Sequence, residues 1–190
     1  MPPTAISLHS LDIGQIRKFF LYDRLKLTMY RLKNIQLDVI RPLFDRYQLN
    51  LSEVPINQDI PHSFWGTPEA GRMQSTLYAR EDTPIHSLLH EACHFVCMPP
   101  ELRNIPDIDA GGSASEENAS CYLQILLSDY IPGFNQSIHL QDMDAWGYSF
   151  RLGSSARWFY ADSDDAREWL IQHHIINDKN LPTWLLRQSP

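Results

Sequence analysis

The residues best equipped for chemistry lie in His90-Glu91-Ala92-Cys93-His94, an instance of H-E-x-x-H. On an α-helix, residues four apart sit on one face about 6 Å apart along the axis, so His90 and His94 can aim their imidazoles at one cation. Glu91 lies to the side of that stripe, poorly placed as a ligand but well placed to take a proton from water. The helix this requires is predicted from about Pro84 to Cys97. Asp82 or Thr83 supplies a cap, Pro84 is tolerated in the first turn, and Pro99-Pro100 stops the helix. Ile85, Leu88, Leu89, Ala92 and Val96 recur at helical spacing and give it an apolar back.

Two histidines do not complete a catalytic zinc site, which takes three protein ligands and keeps one position open. The next acidic candidates, Glu116 and Glu117, start 22 residues beyond His94. They stand at the head of a second predicted helix, from Glu116 to about Tyr130, capped by Ser115 and ended by Pro132-Gly133. The apolar stripe Ala119, Tyr122, Leu123, Leu126, Leu127 projects back over Glu116, which makes it the first choice as third ligand, with Glu117 as the alternative.

His86 could orient a ligand or substrate, but its place early in the helix suits solvent. Cys93 and Cys97 are expected to be small buried thiols, and with Cys121 they make an odd set in a chain lacking a secretory signal, so reduced cysteines are expected. His173 and His174 point in different directions on one helix and read as surface. Asp107 and Asp109 lack the ligand series of a calcium loop. Tyr148, His139, Tyr160 and Arg151 are open candidates for a donor to a developing oxyanion.

The remaining elements must hold this pair of helices. Residues 12–47 carry helical periodicity through Ile13, Ile16, Phe19, Phe20 and then Leu32, Ile35, Val39, Leu43, Phe44, which predicts two helices, with a bend near Pro42. The stretch from Leu49 to Ala79 holds short β-forming segments, LNLSEVPIN, HSFWG and QSTLYA, separated by Pro, Gly and Asp, and predicts a small sheet. DMDAWGYSFRL and DSDDAREWLIQHHII predict two further helices, and the aromatics of the C-terminal third are expected mostly in the core, with a few walling a pocket.

Composition sets the outer limits. The chain has 190 residues, 43% hydrophobic and 21% charged, which suits one α+β domain over 1–190 that needs no metal to fold. A net charge of -7 with scattered cations argues against nucleic acid as a partner. Without a signal sequence or a long apolar run, a cytoplasmic location off the membrane is expected. Oligomeric state is not encoded legibly.

HEACH followed by Glu116-x-x-Ala119 on a later helix resembles the zincin metallopeptidases of the glutamate-zincin type. In particular, EENASCYLQILL is similar to the corresponding helix of ImmA/IrrE-like metallopeptidases, E-x-E-A-N-x-F-A-A-x-L-L. On that pattern Glu116 takes the ligand place, Ala119 the small residue packed on the metal helix, Tyr122 the aromatic place, and Leu126 with Leu127 the leucine pair. Asn118, Ser120, Leu123 and Gln124 depart from it. The resemblance spans about residues 75–130.

It implies a zincin-like α+β domain with N-terminal helices, a small mixed sheet, the active-site helix, a second ligand helix and a helical C-terminal part. It further implies an edge strand holding peptide, for which Gln74–Ala79 is the candidate, and Zn2+ on His90, His94 and Glu116. The expected activity is peptide-bond hydrolysis of a peptide or protein, with zinc-activated water and Glu91 as general base. The alternative is a non-catalytic zincin-fold protein that binds metal and a protein partner.

Overall fold

The computed structural model describes residues 29–105 and 112–188; the predicted helix over residues 12–28, and Asp107 and Asp109, lie outside them. Six α-helices and a three-stranded mixed sheet make up the described residues, an α+β architecture. None of the described helices is long and apolar enough to cross a membrane.

A 3-10 turn at Leu32–Asn34 precedes α1, Leu37–Asp45. Helical periodicity suggested an earlier start, but Arg31 donates its N–H to the Asn34 side chain and Leu32 donates to the Thr83 carbonyl, so residues 31–35 are tied into a turn. Pro42 lies inside α1, which continues past it to Asp45 and buries Ile40, Leu43 and Phe44.

The sheet holds β1 (Asn50–Glu53), β2 (Gly71–Met73) and β3 (Thr76–Ala79) in the order β1-β3-β2. β3 pairs in parallel with β1 and antiparallel with β2. The predicted edge strand is therefore corrected: its strand portion, β3, is the central one, and β1 and β2 form the edges. Leu77 and Ala79 are buried while Thr76 and Tyr78 are half-exposed, the alternation of a sheet with one face on the core. HSFWG forms turns rather than a strand, and β2 supplies the third strand instead.

Helix α2, Ile85–Cys97, packs on the sheet with Ile85, Leu88, Leu89, Ala92 and Val96 buried, as the spacing predicts. Its start differs slightly. Pro84 holds the cap position without a side-chain bond, Asp82 is engaged by Arg80 at 2.7 Å, and the Ile85 N–H is satisfied by the Tyr30 carbonyl.

Helix α3, Ala114–Ser128, packs along α2. It begins two residues before the predicted start because Ser113, not Ser115, is the cap. Ser113 Oγ accepts from the Glu116 N–H, and the Glu116 carboxylate accepts from the Ser113 N–H at 2.8 Å.

Then follow α4 (Gln136–Trp146), α5 (Ser155–Ala161) and α6 (Asp164–Gln172). DMDAW ends α4 instead of opening a helix: Asn135 caps the start, and Gly147, at φ 110, takes the left-handed closing position. The C-terminal segment returns to α2, where Arg187 donates its N–H to the Val96 carbonyl.

Candidate metal centre

α2 and α3 face one another across the functional side chains. His90 Nε2 and His94 Nε2 are 2.9 Å apart. The Glu117 carboxylate closes the triangle, with Oε1 3.6 Å from His90 Nε2 and Oε2 3.3 Å from His94 Nε2. Ligand atoms held about 2 Å from one tetrahedral cation lie about 3.3 Å from each other. The three side chains therefore match the spacing of a shared ion, and they form a group with that capacity among the described residues.

Electrostatics agree with the geometry. Burial and the neighbouring His94 push His90 down to about 3, so its imidazole is neutral and has a lone pair to give at ordinary pH. The hydrogen bond to His94, with the charges of both histidines, holds Glu117 at about 2 against the opposing effect of burial. Glu117 is thus an anion beside the neutral imidazole of His90. Its side chain stays 49% exposed, which leaves the cluster open on one side.

Glu116 points elsewhere. Besides its capping bond it makes an ion pair with Arg187, whose Nη1 also donates to the Cys97 carbonyl. The third position expected for Glu116 is thus filled by Glu117, one residue on. The reason is local: as third residue of a capping box, Glu116 turns back toward the helix start, and Glu117, about 100° further round, meets the histidines. Ser113-Ala114-Ser115-Glu116 spells that box in the sequence, so the signal was present.

Glu91 is half-buried, feels the charges of His94, Arg72, Glu69 and Glu117, and is pushed above the usual carboxylate value chiefly by desolvation. His86 is 1% exposed, a correction to its expected solvent position, and its ring lies 5.2 Å from Trp146 and 5.6 Å from Tyr148.

Of the four oxyanion candidates, Tyr148 is at the site, its ring edge-on to His90 at 5.9 Å. His139 is fully buried and within electrostatic reach of His90. Tyr160 is 70% exposed and bonded to Gln136, and Arg151 is paired with Asp162, so neither joins the cluster.

The three cysteines are buried and unpaired with each other, and burial raises the pKa of all three thiols, Cys97 to about 12. Cys121 Sγ lies 3.6 Å from Glu117 Oε1. His173 bonds the Trp169 carbonyl at 2.8 Å, away from the cluster. Arg72 and Glu69 are site neighbours that carried no spacing signal. Arg72, on β2, is within electrostatic range of Glu91, and Glu69 accepts from Trp146 Nε1 at 2.7 Å.

Comparison of the chain with protein-family models, with curated proteins and with solved structures found no match.

Proposed function

We propose that this protein is a zinc-dependent metallopeptidase of zincin type, with His90, His94 and Glu117 as ligands and Glu91 as general base. The observation that carries the reading is the convergence of two Nε2 atoms and one carboxylate from adjacent helices, with a second, differently placed carboxylate, that of Glu91, beside them. Two imidazoles and one carboxylate suit zinc, which accepts mixed nitrogen and oxygen ligands and leaves a position for water. When bound, zinc supplies a Lewis acid and brings the pKa of water to about 7.

The chain's own residues do the rest. Glu91, its basicity raised by burial, accepts the proton of the attacking water and returns it to the departing amine. Tyr148, whose ring lies edge-on to His90, is our candidate donor to the developing oxyanion. β2, at an edge of the sheet where β3 is central, is the strand we assign to an extended peptide.

The test is Glu91→Gln, assayed by mass spectrometry on a peptide mixture cleaved by the unaltered protein. Zinc content should persist while kcat falls by about 100-fold or more. Unchanged turnover would remove Glu91 as base. Retained zinc with no cleavage by either protein would favour a binding role.

A further inference from the structure

Arg72, a cation whose charge Glu91 feels, has no matched partner among the described residues. Arg72 lies on β2 opposite Leu77 of β3, and residues paired across two strands share a face. Leu77 is fully buried in the core, so Arg72 projects to the same covered face of the sheet, beneath α2. Its neighbour Gly71 alternates to the other face, where a side chain would strike the backbone of Pro61 and His62.

Arg72 is only 9% exposed, yet no carboxylate among the described residues lies at ion-pair distance from it. Its hydrogen bond is from Nη1 to the Gln74 carbonyl at 3.2 Å, and its buried Nε has no partner. Arg80, Arg151 and Arg187, by contrast, pair with Asp82, Asp162 and Glu116, and Arg103, which also lacks a carboxylate among the described residues, spends its Nε and Nη2 on main-chain carbonyls.

A buried guanidinium with its Nε side unused is costly to keep for structure alone. That unused side is the planar fork that grips a carboxylate through two parallel bonds. Glu91 is near enough to be felt but does not close the pair.

We infer that Arg72 is a specificity-determining residue that binds a carboxylate of the substrate beside the metal centre. The inference rests on the peptidase reading for its substrate class, which is peptides carrying an acidic side chain or a free C-terminal carboxylate near the scissile bond. It does not rest on that reading for the anion site itself.

The test has two arms on the zinc-loaded full chain. In the first, melting temperature is followed as sodium succinate is added against sodium chloride of equal ionic strength. A saturable rise is expected for the unaltered protein and none for Arg72→Met, which keeps a similar length in the packed face. Arg72→Lys, which keeps the charge without the fork, should respond weakly and serves if the Met variant does not fold.

In the second arm, kcat/KM is compared for a tetra-alanine peptide with a free C-terminus, its amide, and an amide containing an internal Glu. Whichever carboxylate is used should be preferred over the neutral amide by about 10- to 100-fold, and Arg72→Met should bring the ratio of the two kcat/KM values to about 1, whatever its absolute rate. No succinate response in the unaltered protein, or a preference that survives Arg72→Met, overturns the assignment. A succinate response without cleavage of any peptide keeps the anion site and removes the peptidase reading.

Discussion

Two charged clusters flank the contact between α2 and α3, and adjacent glutamates belong to different ones. Glu116 is satisfied by the chain itself: it caps its own helix at Ser113 and neutralises Arg187, which in turn ties the C-terminal segment to the end of α2. Glu117 faces His90, which burial keeps neutral, and His94, and half of its side chain remains in solvent. The first cluster closes its own charges and fastens the fold. The second gathers three electron-pair donors around one point and supplies no cation. That contrast, rather than residue type, separates a structural acid from a candidate ligand.

The largest expected effect divides the two glutamates by metal affinity. Glu117→Ala should weaken zinc binding by more than about 100-fold, beyond what loss of an outer hydrogen bond costs, whereas Glu116→Ala should leave it nearly unchanged in a competitive chelator titration. Equal losses in both variants would dissolve the comparison.

Stability should divide them the other way. Glu116→Ala strands the Arg187 guanidinium and removes one capping bond, and a loss of about 2–4 kcal/mol is expected in urea unfolding of the zinc-free protein. Glu117→Ala, which removes a half-exposed carboxylate, should cost less than half of that. A larger loss at Glu117 would make it a structural residue.

A smaller effect concerns acid. His90 and His139 are both held at about 3 by burial, well below the ordinary histidine value of 6.5. Between about 6.5 and 3 the unfolded chain takes up protons that the folded chain refuses, so zinc-free stability should fall as pH drops through that window. Asp142, raised to about 6 chiefly by burial, acts in the opposite direction, since the folded chain binds its proton first and gains stability as pH falls from about 6 toward 3.8. His139→Leu should flatten the acid limb by up to about 1.4 kcal/mol per pH unit, measured by urea midpoints across pH. An unaltered slope would show that His139 titrates normally in the folded protein.

Much of this arrangement is legible in the sequence because it is written in short-range patterns. The spacing of Ile85, Leu88, Leu89, Ala92 and Val96 marks core residues of α2, although Ser87, Cys93, Phe95 and Cys97 are buried too, and the four-residue interval between His90 and His94 is what puts their rings together. The choice between Glu116 and Glu117 turned on one helix boundary. Moving the cap from Ser115 to Ser113 makes Glu116 a capping residue, and the pairing with Arg187 confirms its direction through a contact 71 residues away that no periodicity reveals. Sheet order was likewise illegible. QSTLYA has the composition of a strand, but whether it lies at an edge or in the centre depends on β1 and β2, and the three residues of β2 are too few to carry an alternation signal. Arg72 illustrates the same limit, since an isolated arginine acquires meaning only once strand pairing turns it under α2.

Anomalous diffraction at the zinc edge, from crystals grown with zinc, tests the central claim most directly. The account predicts one strong peak about 2.0–2.2 Å from His90 Nε2, His94 Nε2 and an oxygen of Glu117, with Glu116 still on Arg187. A peak that recruits Glu116, or none at the two histidines, would contradict it.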